Sequence, residues 1–162
     1  MADEAPTAFH FLYRSDKGTI DRARWSAAAA PLAAIFVVTT FFVSVALPYS
    51  NRPLTERALF DPATFAANAY IIVYAFLLLL LAICWVNLGA KRFRDRGRPA
   101  PLGLAGLLPL AALVAGAAAW LQPRVAEDMP RWTVWGCDAI VIVIALWTIA
   151  ELFDLTPKAN SR

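Results

Sequence analysis

One carboxylate, Asp138, stands inside an otherwise uncharged apolar run, and an ionisable group in that setting is by default a candidate proton or cation site. Its place also fits a structural role. It falls about two turns from the start of its helix, where the helix dipole favours an acid, and Arg131 or Arg124 is near enough in sequence to pair with it. No second buried carboxylate, His or Lys supplies a relay partner. The other concentration of chemistry is basic: Lys91, Arg92, Arg94, Arg96 and Arg98 crowd into Gly89–Leu102, with Asp95 as the only acid among them. Such a cluster suits anionic lipid headgroups or an acidic partner. Glu151 and Asp154 fall at the same end of the chain's topology, so ion pairs from these acids to Arg92, Arg94 or Arg96 would tie the last apolar run to the basic stretch. His10 is the only histidine, and Cys84 and Cys137 are expected at depths differing by well over the ~7 Å a disulfide allows. The residues therefore assemble no metal site, no His-based dyad and no Gly-rich phosphate loop, and neither a cofactor nor a catalytic residue is expected.

Four long apolar runs must position these groups. The chain has 162 residues, 60% hydrophobic and only 17% charged, against roughly half and a quarter in a soluble domain. The excess is concentrated in blocks: about 25–47, 66–88, 102–121 and 132–150. Each supplies close to the ~20 residues that a bilayer's hydrocarbon core demands. The expectation is an all-α integral membrane protein, four transmembrane helices in a compact bundle over residues 25–155. Residues 1–24 form an N-terminal segment and 156–162 a polar tail. Within the first of these, Phe9, Phe11, Leu12 and Tyr13 either lie in the headgroup zone beside Arg14 and Lys17 or lead into a solvent-facing turn at Ser15–Gly18.

Small residues mark candidate contacts. Ala29/Ala33 and Ala30/Ala34 line the first span, and Gly103, Gly106, Ala112 and Gly116, with a second row at Ala111, Ala115 and Ala119, line the third. The third is the least bulky and reads as an internal packing helix, kinked at Pro109. Pro48 is expected to end the first span. Asn68 and Asn87, near the ends of the second, read as solvated or backbone-capping, and Tyr70, Tyr74 and Trp85 as an aromatic belt.

Charge sets the orientation. Eleven bases fall in the segments on one side of the four runs and four on the other, which places both termini in the cytoplasm. The sequence pI of about 9.1 would otherwise raise nucleic acid as a partner. No groove-reading motif accompanies the charge, so nucleic acid is not expected.

The run KRFRDRGR at Lys91–Arg98, between two apolar spans, resembles the signature of the YhaH-like inner-membrane family (domain of unknown function 805), which typically reads [KR]RLHDxGxSGWW. Lys91, Arg92, Asp95 and Gly97 match, and Pro109 falls where that family's span carries a proline. Before the first span, Gly18 and Arg22 fit the spacing of the family's G-R-x-x-R-x-x-[FY]-W pattern, and Trp25 falls at its aromatic [FY] position. Arg94 stands where the family has His, Pro99–Leu102 replaces SGWW, and a fourth span replaces the polar ending. The resemblance implies a multi-pass protein of the bacterial inner membrane and carries no established activity.

The function expected on these grounds is non-enzymatic: an accessory or interaction subunit whose basic cytoplasmic loop contacts anionic lipid or a partner, within a larger membrane complex or a homo-oligomer. The alternative is a small transporter or channel using Asp138 and the kinked third span.

Overall fold

A computed structural model describes residues 8–50, 61–122, 125 and 127–155 of the chain. The first residues, the centre of the first connection, Arg124 and the expected tail at 156–162 lie outside the described residues. A short π-helical segment at His10–Arg14 precedes four long helices: α1, Arg22–Ser50; α2, Pro62–Asp95; α3, Pro101–Leu121; and α4, Arg131–Leu152. Each of the four is long and apolar enough to cross a membrane.

The helix ends follow from local chemistry. Asp21 opens α1: its carbonyl accepts the Trp25 amide at 2.9 Å and its carboxylate accepts the Arg24 amide at 3.1 Å. Asp61 does the same for α2, accepting the Ala63 amide at 3.1 Å, with Pro62 in the first position where its missing N–H costs nothing. Pro48 does not end α1, which runs on to Ser50. In a last turn a proline removes only one intrahelical bond and leaves the rest of the turn intact. A larger departure is α2, which at 34 residues and roughly 1.5 Å per residue is about 50 Å long and carries Lys91, Arg92 and Arg94 on two further helical turns beyond Leu88. The structure thereby corrects the expectation of a basic loop over these residues. Lys and Arg are good helix formers, and the chain stops only where Gly97 takes a positive φ of 68°.

α1 and α2 run antiparallel, with Trp25 edge-on to Trp85, Tyr70 donating to the Thr39 carbonyl at 2.9 Å, and Tyr74 sharing a 2.7 Å hydrogen bond with Thr40. The two tyrosines thus tie helix to helix. α2 meets α3 where Gly89 faces Ala105, so closely that a Cβ on residue 89 would lie 3.2 Å from that of Ala105. α4 packs along α3 and reaches α2 near its end, where the Phe93 and Trp147 rings stack at 5.9 Å.

Burial is concentrated at one end. Ile20, Trp25, Ala28, Leu88, Ala90, Phe93, Ala105 and Leu152 form the core there, and Trp25 lies edge-on to both Trp85 and Phe153. Along the rest of the helices, large apolar side chains point outward; Phe41 is 63% and Leu113 70% exposed. The third helix is not the internal one: Gly103, Gly106 and Gly116 face open space, and the packed positions are Ala105 and Ala115. On α1 the packed alanines are Ala28 and Ala29, while Ala30, Ala33 and Ala34 are exposed.

Candidate functional site

Two helix C-termini meet at the closed end, and both finish the same way. In α2 the Arg98 amide donates to the Phe93 carbonyl at 3.0 Å and the Gly97 amide to Arg94 at 2.9 Å. In α4 the Leu155 amide donates to Ala150 at 2.8 Å and the Asp154 amide to Glu151 at 3.3 Å. These are two Schellman closures, with Gly97 (φ 68°) and Asp154 (φ 62°) in the left-handed position. An aspartate tolerates that conformation better than most residues, and here its carboxylate is held from outside its own helix.

The reversal of both chains brings three guanidinium groups onto three carboxylates. Glu151, fully buried, accepts from Arg96 Nε at 2.8 Å and from Arg98 Nε and Nη2 at 2.5 and 3.0 Å. Asp154 is bridged by Arg92 and Arg96. Arg92 also pairs with Asp95 one turn along α2 and donates to the Leu152 carbonyl at 3.1 Å. The charges of Arg92, Arg96 and Arg98 balance those of Asp95, Glu151 and Asp154. That balance permits Arg92 and Arg96 to sit 2% and 1% exposed, since a buried charge is tolerated only when paired and hydrogen-bonded.

Lys91 and Arg94, on another side of the same helical turns, hold the N-terminal segment. The Lys91 ammonium donates to the carbonyls of Leu12 (3.1 Å), Ser15 and Asn87, and stands 5.0 Å from the centre of the Phe11 ring. Arg94 reaches the Asp16 carboxylate at 2.9 Å together with the Asp16 and Gly18 carbonyls. Asn87 donates to the Tyr13 carbonyl at 2.8 Å, and the Tyr13 hydroxyl donates to Ala28 of α1 at 2.9 Å. Gly18 is required here. Its φ is +92°, and a Cβ would lie 2.9 Å from the Phe11 ring.

Titration follows from these contacts. Burial pushes the Asp154 carboxyl up, but the Arg92 and Arg96 guanidinium groups outweigh it and hold the carboxyl below its ordinary value. The hydrogen bond to Glu151 raises Arg98, with burial opposing. Both shifts favour the charged forms of Asp154 and Arg98, the forms that make these ion pairs.

The expected ion pairs from Arg92 and Arg96 to Glu151 and Asp154 are present; Arg94 goes instead to Asp16, and Arg98 joins Glu151. The expectation that Lys91, Arg92 and Arg96 face lipid or a partner is corrected: all three are buried on protein acceptors, because α2 extends beneath the N-terminal segment and against the end of α4. Arg94 and Arg98 are partly exposed, and Asp95 caps the cluster at the surface. Of the remaining motif residues, Trp25 is in the core, Arg22 lies 5.6 Å above the Phe153 ring, and Pro109 is accommodated within α3. Asn68 donates to the Thr64 carbonyl one turn back in its own helix at 2.8 Å, a bond along the helix and not a cap of its free N–H groups. Asp138 is not brought to the cluster. It lies exposed on α4, and among the described residues it has no hydrogen-bond or ion-pair partner; Arg131 is exposed as well.

Sequence reasoning missed the Lys91 cradle and the Arg94–Asp16 pair. Most acceptors there are backbone carbonyls, which every residue carries and which therefore leave no signature. Among the described residues no group of His, Cys, Asp and Glu could hold a metal ion. A surface groove between α1 and α2, lined by Phe42, Val45, Tyr49, Ala63, Ala67 and Tyr70, is apolar and lies toward the opposite end from the cluster. No protein family, curated protein or solved structure matches the chain.

Proposed function

We propose that the chain is a multi-pass protein of the bacterial inner membrane, with both termini cytoplasmic, that serves without catalysis as an accessory or interaction subunit. The observation that carries this is the division of the molecule. The charged groups of Lys91–Arg96, with Glu151 and Asp154, are spent on protein acceptors at one end, while four apolar helices present most of their length outward. A surface of that kind suits lipid and neighbouring transmembrane helices. The excess of bases at the closed end supports a cytoplasmic position for it. The match of Lys91, Arg92, Asp95, Gly97 and Pro109 to the YhaH-like pattern supports the same membrane and adds no activity.

Native mass spectrometry of the protein, extracted gently from its own membrane, tests the role. A second polypeptide in fixed ratio is the expected result. A lone monomer or a homo-oligomer carrying only lipid would overturn it. That second outcome favours the other reading, a small transporter or channel built from several copies. The observation on its side is Asp138, an acid exposed on the outer face of α4 with no ion-pair partner among the described residues. Asp138→Asn abolishes ion or proton flux in that case and is nearly silent for an accessory subunit.

A further inference from the structure

With Lys91, Arg92 and Arg96 turned inward, the bases left for a membrane surface at this end lie elsewhere. Arg14, Lys17, Arg22 and Arg24 are all exposed, and all belong to the N-terminal segment or the first turn of α1. Their acidic neighbours are engaged: Asp16 pairs with Arg94 at 2.9 Å, and the Asp21 carboxylate caps α1. Arg22 and Arg24 stand over the Phe153 and Phe11 rings, at 5.6 and 5.4 Å. Arg14 and Lys17 have no side-chain ion pair among the described residues.

Depth is the second observation. The Tyr13 hydroxyl reaches the Ala28 carbonyl and the Tyr13 carbonyl accepts from Asn87, both within a turn of the ends of their apolar runs. The segment therefore lies beside α1 and α2 at the level where the apolar surface gives way to polar residues. The buried Lys91 ammonium fixes it there through the Leu12 and Ser15 carbonyls. Phe9, 61% exposed and 5.2 Å from the Tyr13 ring, extends the apolar surface outward beside these bases.

We infer that Phe9–Lys17 is an interfacial anchor in which Phe9 enters the headgroup–acyl boundary and Arg14 and Lys17 bind the phosphates of anionic phospholipid. The inference rests on the membrane reading above and deepens it: the anionic-lipid contact belongs to the N-terminal segment, and the KRFRDRGR stretch is what holds that segment at the right depth. Ring at the boundary and cation at the phosphate is the arrangement that binds a segment to an anionic leaflet.

The test uses the full chain in mixed micelles of phosphatidylcholine and phosphatidylglycerol, with retained lipid read by native mass spectrometry. Wild type retains phosphatidylglycerol over phosphatidylcholine. Since each base near such a surface is worth about fivefold, Arg14→Gln/Lys17→Gln lowers that preference by up to about thirtyfold. The charge-preserving swap Arg14→Lys/Lys17→Arg keeps it, and Arg131→Gln, an exposed base at the opposite end, leaves it unchanged. Unaltered phosphatidylglycerol retention in the double Gln variant would overturn the inference, as would an equal fall in Arg131→Gln. Loss of a co-purifying acidic protein with lipid retention intact would also overturn it, in favour of a protein partner. Carbonate extraction of native membranes separates the two levels. Release of wild type into the supernatant defeats the membrane reading itself, whereas an embedded protein without the lipid preference defeats only the anchor.

Discussion

Replacing Glu151 by Gln removes one negative charge from the interior and leaves everything else in place. The carboxylate is fully buried and accepts hydrogen bonds from both Arg96 and Arg98. A glutamine offers one oxygen to the same donors and turns an NH2 group toward a guanidinium. Breaking a buried pair by removing one partner costs about 3–5 kcal/mol, because the other charge stays desolvated. Arg96 retains Asp154 and Arg98 is 26% exposed, so the lower end applies, about 3 kcal/mol. At about 2–4 °C per kcal/mol for a chain of this size, thermal unfolding in a mild detergent should begin roughly 6–12 °C lower. Tryptophan fluorescence reports it well, since Trp25, Trp85 and Trp147 lie close to this end. A double-mutant cycle with Arg98→Gln should show strong non-additivity, as expected of contacting charges. An unfolding temperature within 2 °C of wild type, with additive effects in the cycle, would refute the clamp.

The remaining predictions probe other parts of the same end. Asp154 is held below its ordinary pKa of 3.8, so its contribution to stability is complete above that pH and is lost as pH falls through the lower folded-state value; wild type and Asp154→Asn should differ in thermal stability at pH 7 and converge in strong acid. Asp154→Gly relaxes the left-handed backbone position yet loses the bridges to Arg92 and Arg96, and should still be less stable than wild type by thermal unfolding. Gly18→Ala meets both a positive φ and the Phe11 ring; it should cost about 1–2 kcal/mol and speed hydrogen exchange in residues 9–17. Tyr74→Phe removes a single hydrogen bond between apolar helices and should lower stability by only about 0.6 kcal/mol.

Much of the scaffold was legible in the sequence. The four apolar runs gave the four helices because an uncharged stretch of some twenty residues has few other stable forms. The pairing of Glu151 and Asp154 with the basic stretch was legible because consecutive antiparallel helices bring those segments to one end. Helix ends and faces were less so. KRFRD reads equally as a polar loop or as two more turns of α2, and only the cap at Gly97 decides where the helix stops. Glycine spacing on α3 marked a surface capable of close contact without saying which surface makes it. The contact falls instead on Gly89 and Ala105, set by how α2 and α3 emerge from their short connection. The lysine cradle around residues 12–15 was invisible, since a single charged side chain against backbone carbonyls has no pattern to find.

These findings recast the most basic part of the chain as an internal fastener. Formal charge counted along a sequence sets orientation during insertion, but it does not say which bases remain available once the chain has folded. Here Arg92 and Arg96 reach acids more than fifty residues away, Arg92 holding nearby Asp95 as well, and Lys91 and Arg94 hold a segment more than seventy residues before them. Among the described residues at this end, the fully exposed bases are Arg14, Lys17, Arg22 and Arg24, of the N-terminal segment and the first turn of α1.

Membrane crossing and orientation underlie the rest, and thiol accessibility measures both directly. Single cysteines placed at Pro99 and at Asp128, in chains with Cys84→Ala and Cys137→Ala, sit in the exposed connections at opposite ends of the helices. Treated with a membrane-impermeant maleimide, intact spheroplasts should label Asp128→Cys and leave Pro99→Cys unmodified until the membrane is opened. Labelling of Pro99→Cys in sealed cells, or equal labelling of both sites, would contradict a four-span protein with its charged clamp in the cytoplasm.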